Sequence, residues 1–360
     1  MLITSGRVLT PNGFGGPSRL VIEAGCIAAI EAGAGDDGLM IVPGFVDVQV
    51  NGIDDVDVST AGGADWDRLD GLLLDQGVTT WCPTLVTMPL DRFTHPLAEI
   101  GAAMARPTAG RPSIAGAHLE GPFLGGAPGA HRPQWIVPID LGWIDSLPDH
   151  IAVMTIGAEQ VDAAAATARM AARGTLVSVG HTTAAFDELD AVAAAGASLA
   201  THLFNGMSGL HHRTPGVAAW VLDHPSVAAS VIADGVHVHP RMIKLAFSLL
   251  GRDRAVLVTD AVAWRAGTVG PVGMELRDGA PRLADGTLAG SAATMDHCLR
   301  VCIAAGVDAE LALRAASTTP ARLLGLADRG AIDVGRRADL VALDADWQIR
   351  GVWVAGEQVR

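Results

Sequence analysis

Residues 175–202 read TLVSVGHTTAAFDELDAVAAAGASLATH: an apolar run at 175–180, an Ala-rich helical stretch at 185–195 and a second apolar run at 197–202. Each run ends in an imidazole, His181 after SVG and His202 after LAT. Near-continuous apolar strands, rather than alternating ones, are what a parallel sheet buried on both faces demands. The same unit recurs outward in both directions. Apolar runs at 41–49, 77–84, 113–119, 151–157, 227–233 and 255–260 read as further strands, and stretches such as 160–173 (QVDAAAATARMAAR) read as helices between them. Polar residues collect at the C-terminal ends of the runs, where barrel enzymes place their sites. The expected fold class is therefore α/β, a closed (β/α)8 barrel of the TIM type, with a doubly wound open sheet as the competing arrangement. Neither a GxGxxG opening a helix nor a GxxxxGK[ST] phosphate loop is present.

Both chain ends differ from this middle. Residues 1–40 and the last thirty residues carry short alternating runs with Gly-rich joints, so a small β sandwich built from both termini is expected. The expected division is 1–42 with 331–360 for the sandwich and 43–330 for the barrel. Residues 268–290 are rich in Gly and Asp and read as a hairpin excursion after the eighth strand, followed by helices at 294–306, 309–317 and 318–326.

Of the 360 residues, 49% are hydrophobic and 18% charged, with a formal net charge of −14. Such a surface argues against nucleic-acid or anionic-membrane partners, and no run is long and apolar enough for a membrane helix. An anionic substrate needs a locally positive pocket, because charges beyond about 8 Å are screened at physiological salt. Lys244 is the only lysine and there is no tyrosine. Cys26, Cys82, Cys298 and Cys302 form no CxxC pair and read as reduced, buried thiols in a cytoplasmic protein.

Two further strand ends carry carboxylates. Glu120 ends the run before a tight turn in HLEGP, and Asp260 ends AVLVTD. A carboxylate is costly to bury unless it is paired or bound to a cation. Glu120, His181 and His202 thus form a three-ligand set that leaves a position for water, the pattern of a catalytic metal site. His118 lies two residues before Glu120, as a fourth ligand or as a hydrogen-bonding support. Asp260 reads as a proton acceptor beside the metal-bound water or, in the plainer interpretation, as a helix N-cap.

Longer stretches add a resemblance. PGFVDVQVNG (43–52), GAHLEGPFL (116–124), GAH (129–131), VGHTTAAFDE (179–188), THLFNGMSGLHHRTPG (201–216), IADGVHVHP (232–240), LVTDAV (257–262) and DGTLAGSAATM (285–295) follow one another along the whole chain. In this order they resemble the amidohydrolase superfamily and, within it, the N-acetylglucosamine-6-phosphate deacetylase family. The resemblance implies hydrolysis of the acetamide of N-acetylglucosamine 6-phosphate to glucosamine 6-phosphate and acetate. It implies one divalent metal on Glu120, His181 and His202, zinc by family habit, with iron(II) or another divalent ion also suited to these ligands. His131 would polarise the carbonyl, and Asp260 would be general base toward the metal-activated water and then general acid. Asn205, Gly206, His212 and His237 would hold the sugar phosphate. Arg213 would reach the neighbouring subunit's phosphate, which implies a homodimer or higher homo-oligomer. Where many relatives carry HxH and bind a second metal, this chain has Gln49 and Asn51, and an amide is a poor ligand. Related readings are deacetylation of N-acetylgalactosamine 6-phosphate or another N-acyl substrate, or a barrel that has lost catalysis and serves as a scaffold.

Overall fold

All eight apolar runs form strands, each followed by a helix. The computed structural model describes residues 1–33 and 38–360. The strands are β1 (Phe45–Val50), β2 (Val78–Val86), β3 (Ala117–Glu120), β4 (Ile151–Ile156), β5 (Leu176–Val179), β6 (Leu199–Ala200), β7 (Ala228–Ile232) and β8 (Ala255–Val258). Each pairs in parallel with the next. The sheet closes where β1 meets β8: the backbone N–H groups of Asn51 and Gly52 donate to the carbonyl of Ala261 at 2.8 and 3.1 Å. The fold is a (β/α)8 barrel, not an open sheet.

Helix Ala163–Ala172 shows how the outer layer forms. Its alanines are the best helix formers, and Ala163, Ala166, Thr167 and Met170 recur at helical spacing on the buried face. The chain leaves it through Gly174 at φ +82°, a left-handed turn that glycine adopts without strain. Cys298 and Cys302 sit on Met295–Ala304 as buried, unpaired core residues and Cys82 is buried too, but Cys26 is exposed, against the expectation of four buried thiols.

Both termini share one six-stranded sheet, in which Met40–Pro43 lies between Arg7–Thr10 and Leu340–Leu343. A three-stranded antiparallel sheet of Leu2–Ser5, Ser18–Glu23 and Cys26–Ala32 accompanies it. Ile3, Leu20, Ile27, Ile41, Leu340 and Trp353 form a core separate from the barrel's. Residues 34–37 of the expected sandwich stretch lie outside the described residues. The excursion after β8 is two hairpins rather than one, Thr268–Val269 with Val272–Gly273 and Glu275–Arg277 with Ala280–Arg282. No helix among the described residues is long and apolar enough to cross a membrane.

The closing seam buries a charge-capable group. The Asp47 carboxylate of β1 is fully buried and accepts from the Thr259 hydroxyl at 2.6 Å and from the Thr259 and Gln49 backbone N–H groups. Burial pushes Asp47 up to about 7, against the lowering effect of those donors. A folded-state value above the unfolded 3.8 means that Asp47 holds its proton better in the folded chain; the stability this contributes is complete below 3.8 and is lost as pH rises through about 7. Thr259→Val removes a donor that favours the ionised form. It should lower unfolding stability by about 1–3 kcal/mol, more at pH 8 than at pH 5. Urea titrations at the two pH values measure this, and an equal loss at both would count against ionised Asp47 as the partner.

Candidate active site and metal centre

Four side chains occupy equivalent places on four strands. Glu120 is the last residue of β3, and His181, His202 and Asp260 each lie two residues beyond β5, β6 and β8. The last three adopt left-handed backbone, with φ of 49°, 33° and 49°. For a residue with a Cβ this costs of order 1–3 kcal/mol, and such strain collects at functional sites. Here it turns each side chain over the barrel mouth at the same level.

The first three converge. Glu120 Oε1 lies 3.1 Å from His181 Nε2 and 2.9 Å from His202 Nε2, and the two Nε2 atoms are 3.1 Å apart. Each ring's Nδ1 faces a backbone carbonyl, Ala127 for His181 at 3.0 Å and Asn205 for His202 at 3.1 Å. An Nδ1–H donated to a carbonyl leaves Nε2 as a lone pair. Two such lone pairs and a carboxylate oxygen repel one another unless a cation or proton lies between them. Ligands about 2.0–2.1 Å from a tetrahedral zinc are themselves separated by roughly 3.3 Å, so the triangle fits a divalent ion. Glu120, His131 and His181 also offer ligand atoms within 4.8 Å of one another. His131 Nε2, 3.9 Å from Glu120 Oε2, nevertheless stands further out than His202.

Electrostatics follow this geometry. Burial pushes the Glu120 carboxyl up, but the His181 and His202 hydrogen bonds outweigh it and hold the group well below the usual range. Burial disfavours a proton on His202, yet in the absence of a cation a proton on Nε2 bonds Glu120 and leaves the group raised. Burial and neighbouring His181 push His131 down to about 3. Its Nδ1 accepts from the Thr87 N–H at 3.4 Å, which leaves Nε2 as the donor. Burial, then the Glu120 charge, push Asp260 up to about 8.

His118 is not a fourth ligand. Its Nδ1 bonds the Val48 carbonyl at 2.8 Å and its Nε2 the Thr155 hydroxyl at 2.9 Å, and burial pushes it down to about 4. The interpretation of Asp260 as an N-cap also fails: the next helix, Met295–Ala304, begins far along the chain.

A cavity of about 400 Å³ opens over these groups and is also lined by His131, Asn205, Gly206 and His237. The structure does not bring His212 or Arg213 into it. Both are exposed on the loop between Gly206 and the helix Val217–Asp223, where the His212 ring lies against His211. Sequence reasoning assigned no role to Asp234. Its carboxylate accepts from His237 Nδ1 at 2.7 Å and from the His237 backbone N–H at 2.8 Å, so it fixes that ring. The D-G-V-H spacing, an Asx-turn pattern, was the available signal. Gln49 and Asn51 were visible only as missing ligands. Gln49 Nε2 donates to Glu120 Oε1 at 3.1 Å and Asn51 Nδ2 to Asp260 Oδ1 at 2.7 Å.

This constellation at the C-terminal mouth of a (β/α)8 barrel has the donors that a metal-assisted hydrolase requires, and comparison with known proteins shows a hydrolase family. The amidohydrolase family model matches residues 40–359, and the chain belongs to that family. It is 35% identical to an N-acetylglucosamine-6-phosphate deacetylase of Danio rerio, over 89% of this chain and 84% of the relative. It is 33% identical to an N-acetylgalactosamine-6-phosphate deacetylase of Escherichia coli O157:H7, over 98% and 97%. A substituted N-acetyl-D-glucosamine-6-phosphate deacetylase from Mycobacterium smegmatis, solved with N-acetyl-D-glucosamine-6-phosphate, superposes with a TM-score of 0.92 at 33% identity, over 100% of this chain and 99% of that one.

Gly206 (φ +58°) packs against the His181 ring, and a Cβ there would stand 2.8 Å from Nδ1. Gly206→Ala should displace that ring and weaken metal binding by about 10–100-fold. Metal titration followed by mass spectrometry of the intact protein tests this, and wild-type affinity would detach Gly206 from the centre.

Proposed function

We propose that this chain hydrolyses the acetamide of N-acetylglucosamine 6-phosphate, releasing acetate and glucosamine 6-phosphate, with a divalent metal on Glu120, His181 and His202. The observation that carries this reading is the triangle of three mutually repelling acceptors beside the buried carboxylate of Asp260 in one cavity. Relatives bearing the name of this activity along the whole chain support it. Zinc stands first among the candidate ions, and iron(II) suits the same donors. When bound, the ion polarises the amide carbonyl and brings the pKa of water from 15.7 to about 7.

The chain's own groups do the rest. His131 Nε2–H donates to the amide oxygen and stabilises the negative charge that develops there. Asn51 occupies Asp260 Oδ1, so Oδ2 is the atom that takes the proton of the attacking water. As the water oxygen bonds to the carbonyl carbon and the C–N bond breaks, the same Oδ2 returns the proton to the leaving nitrogen. Burial that raises the proton affinity of Asp260 suits a group that must hold a proton briefly and pass it on. His237, fixed by Asp234, and the Asn205–Gly206 turn orient the sugar phosphate. Arg213, exposed and outside its own cavity, is available to the phosphate in a neighbouring subunit, so we read the working enzyme as at least a homodimer. Four unpaired cysteines support a reducing, cytoplasmic setting.

The relative that carries the galactosamine name gives a second reading, the 4-epimer as substrate. Acetate release from both phosphates, measured side by side with metal analysis, decides between them. The glucosamine epimer is expected to give the higher kcat/KM with one metal per chain, and activity on neither would remove the proposal. Asp260→Asn should retain the metal and lower kcat by about 10²–10⁴-fold; near-wild-type turnover would take the proton-transfer role from Asp260.

A further inference from the structure

The cavity presents an electrostatic problem that the residues assigned above do not solve within one chain. Its lining includes the carboxylates of Glu120 and Asp260, in a protein of net charge −14. In the state in which Asp260 is ionised to act as base, a divalent metal on Glu120 does no more than balance the two carboxylates. His237 is tied to the Asp234 carboxylate, so that pair brings no net positive charge even when the ring is protonated. Arg213 faces solvent and needs a second subunit. Among the described residues that line the cavity, Arg282 is the one with a permanent positive charge.

Arg282 is also held and left unsatisfied. It ends the strand Ala280–Arg282, and its backbone bridges to Leu288. Around it, Leu283 N–H donates to Thr287 O at 2.8 Å and Ala289 N–H to Pro281 O at 3.0 Å. One guanidinium nitrogen, Nη1, donates to the Gly286 carbonyl at 2.9 Å. Nε is buried without a hydrogen-bond partner, and no carboxylate among the described residues pairs with the side chain. Arginine carries five donors in a planar fork that matches phosphate geometry. The cavity wall around it is largely apolar, with Val86, Val262, Val269, Val272 and Leu288 facing the acids and imidazoles of the barrel mouth. A fork braced at one end and short of acceptors at the other in such surroundings is prepared for an anion.

We infer that Arg282 is a specificity-determining residue that binds the phosphate of the substrate from within the same subunit. This rests on the sugar-phosphate reading above. It assigns to the hairpin wall after β8 the part of anion recognition that does not need a neighbouring subunit.

The test compares metal-loaded wild type with Arg282→Gln and Arg282→Lys, using N-acetylglucosamine 6-phosphate and unphosphorylated N-acetylglucosamine. Arg282→Gln should lower the ratio of the two kcat/KM values at least tenfold, mainly through KM for the phosphate, while Arg282→Lys keeps most of it. A role confined to bracing Gly286 would lower both substrates equally, and that result, or an unchanged ratio, overturns the inference. A second measurement needs no variant: phenylglyoxal modification of the wild-type protein, mapped by peptide mass spectrometry with and without inorganic phosphate. Arg282 should be protected by phosphate, and modification there at the same rate in both samples also overturns the inference. If wild type releases no acetate from any sugar phosphate, the substrate reading has failed, whereas loss of the Arg282 effect in an active enzyme removes only this inference.

Discussion

Two imidazole nitrogens and a carboxylate oxygen, all acceptors, stand about 3 Å apart in the mouth of this barrel. Left alone they would push one another away, since repulsion between desolvated acceptors is stronger than in water. The surrounding structure holds them in place. Backbone carbonyls of Ala127 and Asn205 take the far nitrogens of the two rings, and Ser230 Oγ accepts the His202 backbone N–H at 2.7 Å. Left-handed turns after two short strands aim the rings inward. These features hold three acceptors at the spacing that a cation's ligands require.

The first strand shows how this family member adapts the common site. Gln49 and Asn51 stand where the family resemblance would place the two imidazoles of a second metal site. Here the two amides act as donors to the two carboxylates that matter, Glu120 and Asp260. A donor beside each carboxylate stabilises its charge and fixes which oxygen is free. That is a different use of the same register, and it works only because the barrel closes between Asn51 and Ala261, which brings β1 against the residue after β8. A second metal near Gln49 and Asn51 would have to displace both bonds.

Much of this was legible in the sequence because burial on both faces leaves little ambiguity. The eight apolar runs are the eight strands, and Glu120, His181, His202 and Asp260 stood out as polar endings to apolar segments. Less legible was anything that depends on closure. Asn51 and Asp260 are 209 residues apart, and Asp47 and Thr259 are 212 apart; no local pattern pairs them. His118 read by its spacing as either a fourth ligand or a hydrogen-bonding support, and only closure of the barrel shows both its nitrogens consumed in the interior. His212 shares a loop with Asn205 and Gly206, yet that loop leaves the cavity after them and carries it to the surface.

The wall after β8 follows another logic. It comes from no barrel element, and its two hairpins are short and rich in glycine, so they cannot hold themselves in place. The buried Asp57 carboxylate supplies part of the anchor, accepting from the Gly270 N–H at 2.8 Å and the Thr268 hydroxyl at 3.2 Å. Arg265 adds an ion pair to Asp54 at 2.8 Å. Both acids lie just beyond β1, so the strand that places Gln49 and Asn51 also leads into the segment that holds the opposite wall. Val86, Val262, Val269, Val272 and Met274 make the joint apolar. A cavity with imidazoles and acids on one side and this pinned wall on the other keeps its reacting end in the barrel, where geometry is rigid. The opposite wall is then a segment whose side chains can change without disturbing the strands.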